Sequence, residues 1–157
     1  LDKKRIAIAV GVLVFIFGIV LGVDLLQRSQ VADLPAGSVP IYIANKLIGG
    51  FTPNDLGQLD QVTFKDKEEG KTQEGWLLSD VLLLHIDPES LNADTEITVS
   101  SSSREKSATL TWDHVKDDKN MVLFDMSSRG TLKLVAKEGT LQAREKWVQD
   151  VDRIDIK

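Results

Sequence analysis

Few side chains in this chain could do chemistry. Cysteine is absent, which removes thiolate nucleophiles, thiolate metal sites, iron–sulfur clusters and disulfides together. Two histidines, His85 and His114, leave little for classical zinc or bis-histidine haem ligation. His85 closes an apolar stretch before Asp87 and Pro88, where a cation is favoured by a helix C-terminus, so its ordinary role is capping. Asp113-His114 invites an acid–base reading, but neighbours on a helix point apart, and no serine stands in a nucleophile-elbow context to complete a triad. The carboxylate pairs Glu68-Glu69 and Asp117-Asp118 lie in charged loops, read as solvated, without calcium-loop spacing. No residue is assigned as catalytic or as a metal ligand. Anion recognition remains. Arg104, Lys106, Arg129, Arg144 and Lys146 supply cationic donors. Ser127-Ser128-Arg129-Gly130 is the best anion-like loop, although its glycine and serines suit a plain solvated turn as well.

The chain around these residues has 157 residues, 42% hydrophobic and 27% charged. That suits one globular domain and excludes a disordered or collagen-like chain. After the first 23 residues, 16 basic side chains face 23 acidic ones, a net charge of −7. Nucleic-acid binding is therefore not expected, because phosphate recognition needs concentrated Lys and Arg.

Ile6 to Val23 is eighteen residues without a charged or polar side chain. At about 1.5 Å per residue a helix of that length spans roughly 27 Å, enough to cross a bilayer. A cleavable signal peptide has a shorter apolar region, about 7–15 residues, so an uncleaved anchor is the expectation. Lys3, Lys4 and Arg5 precede the span. By the positive-inside rule the N-terminus is cytoplasmic, and the acidic domain of a single-pass plasma-membrane protein is periplasmic or extracellular. Ala7, Gly11, Gly18 and Gly22 project onto about 60° of one helix face, and Gly18 with Gly22 forms a small-xxx-small pair that lets two helices pack closely in lipid. The expected partners are the bilayer and other membrane-protein subunits.

Residues 1–26 thus read as an anchor, 27–39 as a linker broken by Pro35 and Gly37, and 40–157 as the outer domain. Within that domain, Ile41–Ala44, Gln61–Lys65, Thr95–Ser100, Ala108–Trp112, Met121–Asp125 and Thr131–Ala136 read as strands, and further strand is expected from Lys146 on to Ile156. Lys46-Leu47-Ile48 with Gly49-Gly50 looks like a turn and return. Thr52-Pro53-Asn54-Asp55 starts a short helix to Leu59, and Leu77, Val81 and Leu84 predict a buried helix over 75–84. The class is α+β, β-rich and compact, with a mixed or antiparallel sheet.

The order of these pieces resembles the oxidoreductase molybdopterin-binding domain, the sulfite-oxidase-like fold, over Ile41 to Ile156. The likeness is carried by Phe51-Thr52-Pro53-Asn54-Asp55-Leu56, by Gly75-Trp76-Leu77-Leu78-Ser79-Asp80-Val81-Leu82, and by Glu96-Ile97-Thr98-Val99. Thr111-Trp112, Met121-Val122-Leu123-Phe124, Leu132-Lys133-Leu134-Val135 and the ending from Lys146-Trp147-Val148 to Ile154-Asp155-Ile156 complete it. The resemblance implies a molybdenum cofactor in catalytic members, held by a pterin cleft and one cysteine thiolate shortly after the strand ending near Phe64. This chain has Lys65-Asp66-Lys67-Glu68-Glu69 there, and a hard carboxylate does not replace a soft thiolate on the metal. If a pterin were held, Arg129, Gly130 and Lys146 are the candidates toward it. The expectation is a pseudoenzyme without cofactor, an accessory or scaffolding subunit of a membrane complex, respiratory or photosynthetic by analogy with relatives in electron transfer. The alternatives are a molybdopterin-dependent oxidoreductase with atypical ligation and a stand-alone extracytoplasmic ligand-binding module.

Overall fold

Alternating apolar and polar residues build the strands of this chain, and the computed structural model describes them for residues 33–157. The Ile6–Val23 stretch, with Ala7, Gly11, Gly18 and Gly22, lies outside the described residues. Among the described residues no helix is long and apolar enough to cross a membrane.

Pro35–Lys157 forms one unit, a β-rich α+β fold. Its strands are β1 (Val39–Ile43), β2 (Lys46–Phe51), β3 (Val62–Lys65), β4 (Thr72–Leu77), β5 (Glu96–Ser101), β6 (Lys106–Thr111), β7 (Val122–Met126), β8 (Leu132–Ala136) and β9 (Arg153–Ile156). Two short helices, α1 (Leu78–Leu83) and α2 (Trp112–Lys116), follow β4 and β6. One sheet has the order β2-β1-β9-β5-β6 and the other β3-β4-β7-β8. Every pairing is antiparallel except β1 with β9. β1 and β2 turn at Ala44 and Asn45, both with positive φ, a conformation asparagine tolerates better than most residues.

The register decides which face each side chain takes. Trp76 lies opposite Phe124, and Phe124 opposite Leu134. These three join Ile41, Ile97, Val99 and Ile154 of the first sheet, Leu78, Val81 and Leu82 of α1, and Trp112 and Val115 of α2 in the main core. The alternate set, Leu77, Leu123 and Val135, also lies opposite in sequence across β4, β7 and β8. Leu123 and Val135 pack with Phe64 and Trp147 in a second apolar cluster. The four-stranded sheet is thus apolar on both faces, and Trp147 covers the outer one.

Three expectations need correction. The helix over 75–84 begins only at Leu78, because Gly75, Trp76 and Leu77 pair with Asp125, Phe124 and Leu123 in the ladder. A strand buried on both faces reads as a continuous apolar run, which a helical spacing also fits. As a result Leu84, expected on the buried face, is exposed. Trp112 does not end a strand. It opens α2, and the Thr111 hydroxyl accepts from the His114 amide at 3.3 Å. Strand does not run from Lys146 to Ile156 either. Arg144–Lys146 is a 3-10 turn, Val148 makes one isolated bridge to Leu134, and Asp150 turns to a φ of 54° before β9 begins.

Candidate functional site

The resemblance expects a metal-binding thiolate somewhere between the strand ending near Phe64 and Gly75, and in that stretch the loop after β3 carries Asp66. The carboxylate is buried and accepts from the amides of Glu69 at 2.7 Å and Lys71 at 3.1 Å and from Gln73 Nε2 at 3.2 Å. The backbone of Asp66 closes the same loop, donating to Lys71 and accepting from Gly70, with Gly70 at the positive φ such a turn requires. The Glu69 amide foremost, with the charge of Arg144 and the other two donors, holds this carboxyl below the usual range against the opposing effect of burial. Asp66 therefore organises the 66–71 turn.

From Asp66 a polar chain runs across the outer face of the four-stranded sheet. Gln73 accepts from Lys133 Nζ at 3.0 Å, and Lys133 pairs with Asp125 at 2.8 Å, both side chains less than one-fifth exposed. Asp125 and Lys133 are register partners on β7 and β8. The Trp147 ring, 3% exposed, has Lys133 Nζ 4.9 Å and the Arg144 guanidinium 4.8 Å from its centroid, within cation–π range. Its indole N–H donates to the Leu141 carbonyl at 2.9 Å. Arg144 pairs with Glu69, which also pairs with Lys71, and the Arg144 amide donates to Glu68 at 3.2 Å. Glu68 and Glu69 are exposed, as expected of a solvated pair, and they also join the 66–71 loop to the 144–146 turn. Glu68, Glu69, Lys133, Arg144, Glu145, Trp147 and Gln149 line an open groove of about 440 Å³. A smaller concavity of about 210 Å³ shares Arg144, Trp147 and Gln149 with it and adds Arg104 and Lys106.

Asp150 is a second hub. It accepts from the Thr131 hydroxyl at 2.7 Å, from Arg104 Nε at 2.6 Å and from Arg129 Nη2 at 3.0 Å. It thereby pins the β5–β6 and β7–β8 connections, which belong to different sheets, to one strained residue. Asp152 does the same for Ser102, whose amide donates to its carboxylate at 2.8 Å.

Of the five expected cationic donors, Arg104, Lys106 and Arg144 meet in the smaller concavity, whereas the pterin candidates Arg129, Gly130 and Lys146 lie outside it. Ser127-Ser128-Arg129-Gly130 is the β7–β8 hairpin turn, closed by the Gly130 amide on the Ser127 carbonyl at 2.9 Å, and Arg129 turns its guanidinium to Asp150. Gly130 lines a separate cavity of about 370 Å³ with Gly37, Thr52, Pro53, Thr131 and others. Lys146 is exposed and 3.8 Å from Glu145, and it lines neither the groove nor the smaller concavity. The histidines lie elsewhere, His85 exposed and His114 half-buried. His85 stacks on Phe51, with centroids 6.4 Å apart. His114 lies 3.2 Å from the Asn120 amide nitrogen and against Gly139, where an added Cβ would come within 2.4 Å of the imidazole. Asp113 pairs with Lys116 instead of His114. Among the described residues no group of three or more acidic, histidine or cysteine side chains is arranged to hold a metal ion.

Sequence reading missed Gln73, Lys133, Gln149 and Asp150. For one of them a signal exists: counting outward from Arg129 at the centre of the hairpin pairs Met126 with Leu132 and then Asp125 with Lys133.

The carboxyls carry a pH signature. Asp55 is held low by the amide and hydroxyl of Thr52, Glu69 by Lys71 and then Arg144, and Asp150 by Thr131 and then Arg104. Like Asp66, each stabilises the fold while ionised, and that contribution disappears as pH falls through the lowered native value. Asp80 has the opposite sign, because burial, with Asp118 and Asp60 nearby, raises it. Thermal melts should be nearly level above about pH 5 and fall steeply below about pH 4. Asp80→Asn should melt higher than the parent at pH 7, with the gap closing on acidification. A fold whose stability holds from neutral to pH 3 would contradict this assignment.

A scan against models of protein families finds no match for this chain, and a search of curated proteins finds none either.

Proposed function

We propose that this protein is a membrane-anchored accessory or scaffolding subunit of a larger membrane assembly, built on a sulfite-oxidase-like domain that has given up its metal. The observation that carries this reading is Asp66. It lies in the stretch where the resemblance expects the thiolate, and its carboxylate already accepts three hydrogen bonds that shape its own loop. A hard oxygen ligand saturated in this way does not fit a molybdenum–pterin group, and no step of chemistry is derived through one. The groove beside it is tied up by internal pairs, Lys133 with Asp125 and Arg144 with Glu69, which suits a surface that is held in shape and binds other groups. The apolar span Ile6–Val23 supplies the anchor, with the N-terminus cytoplasmic and the domain on the periplasmic or extracellular side. Analogy with relatives that work in redox systems suggests a respiratory or photosynthetic electron-transfer complex.

Purification of the full chain in mild detergent tests this in two readouts. It should co-migrate with other membrane subunits and carry only trace molybdenum or tungsten, and Gly18→Leu with Gly22→Leu should release it from them. A stoichiometric molybdenum or tungsten content would overturn the reading in favour of an oxidoreductase with atypical ligation. Recovery as a lone monomer would overturn it in favour of a separate binding module.

A further inference from the structure

We propose that the concavity walled by Arg104, Lys106, Arg144, Trp147 and Gln149 seats an acidic side chain on an extended polypeptide segment of a partner subunit, an inference that rests on the subunit reading above. From Pro35 onward the chain holds 15 basic and 21 acidic residues, yet the lining of this concavity has three cations and no carboxylate. The carboxylates that reach those cations are shared: Asp150 serves Arg104 and Arg129, and Glu69 serves Arg144 and Lys71. Among the described residues, Lys106 has the backbone carbonyl of Glu145 as its partner. Arg104 engages Asp150 through Nε, and Arg144 engages Glu69 through Nη1, so among the described residues each keeps guanidinium N–H groups for a carboxylate. Arg104 comes from the β5–β6 connection, Lys106 from the first position of β6 and Arg144 from the 144–146 turn, which Lys106 bonds directly. The seat is therefore organised before a ligand arrives, which lowers the cost of binding.

The neighbouring groove selects the kind of ligand. It shares Arg144, Trp147 and Gln149 with the concavity, but its further wall carries Glu68, Glu69 and Glu145. A compact polyanion would meet these carboxylates. An extended chain can instead place one acidic side chain between Arg104 and Lys106 and run neutral backbone past them, with the Gln149 amide available to that backbone.

The test uses the full chain in neutral detergent micelles and a fluorescein-labelled peptide of alternating glutamate and glycine, followed by anisotropy. Binding should weaken as salt rises toward about 0.15 M and should fall by about tenfold or more in Lys106→Glu and in Gln149→Glu. Both variants leave the Asp150 and Glu69 pairs intact, and Lys146→Glu should bind like the parent. Absence of peptide binding, or equal binding by Lys106→Glu and Gln149→Glu, would overturn the proposal. So would displacement of the peptide by equimolar inorganic phosphate, which would mark a small-oxyanion site. Binding to phosphatidylglycerol vesicles that requires Lys106 would overturn it too, assigning the face to a lipid surface. If these variants keep co-migrating with membrane subunits while Gly18→Leu with Gly22→Leu releases the chain, the docking site fails and the subunit reading stands. If the parent chain is a lone monomer, the subunit reading fails, and with it the assignment of this seat to a partner subunit.

Discussion

Gly75→Ala should destabilise the fold by about 3 kcal/mol or more. In β4, Gly75 is flanked by Val62 on β3 and Asp125 on β7. A Cβ built there would lie 1.8 Å from the Phe124 carbonyl oxygen and 2.6 Å from its carbonyl carbon. The obstacle is backbone, so no rotamer change relieves it. The methyl can be admitted only by moving β4 away from β7, which loosens Trp76 against Phe124 and Leu77 against Leu123 and disturbs both apolar clusters at once. A melting temperature lower by roughly 10 °C is expected for a unit of this size. Gly57→Ala is the matched control, since nothing lies within 4 Å of its added Cβ, and it should change stability by no more than about 0.5 kcal/mol. Equal melting temperatures for the two variants would show that β4 and β7 are not this close.

The second large effect belongs to Trp147. Removing a buried tryptophan ring costs about 3–5 kcal/mol, and here the ring caps Phe64, Leu123 and Val135. Trp147→Ala should therefore lose stability in that range and also uncover the Lys133–Asp125 pair, which lies less than one-fifth exposed beneath it. Trp147→Phe separates the contributions. It keeps an aromatic cover but deletes the N–H that donates to Leu141 and offers a weaker face to the two cations, so a cost of about 1 kcal/mol is expected. Denaturant unfolding of the three proteins measures both steps. A Trp147→Ala variant as stable as Trp147→Phe would mean that the outer cluster contributes nothing to the fold.

Much of the architecture was legible because it is written in local pattern. The helix start at Thr52, realised as a 3-10 helix over Pro53–Gln58, and the hairpins at 101–106 and 127–131 follow from alternation and turn chemistry within a dozen residues, whereas the β1–β2 turn, expected over Lys46–Gly50, falls at Ala44 and Asn45. The strand–helix junction at Leu77 and Leu78 was not legible. An apolar run buried on two faces as strand and on one as helix carries a single ambiguous signal, and the neighbour that decides it, β7, lies more than forty residues away. The polar site was hidden for the same reason. Asp66 looked like one acid among several in a charged loop.

Residue types and their order alone determined that no thiol chemistry is open to this chain, that its domain is acidic, and that an apolar stretch long enough to cross a bilayer precedes it. These are sums and short-range periodicities, independent of how the chain is folded back. Tertiary structure decided which charges are spent and which remain. Gln73 meets Lys133 across 60 residues and Glu68 meets Arg144 across 76. Such pairs depend on sheet order and register, which are set by the burial of both faces of the four-stranded sheet together. A side chain's own neighbours in sequence carry no record of that long-range choice.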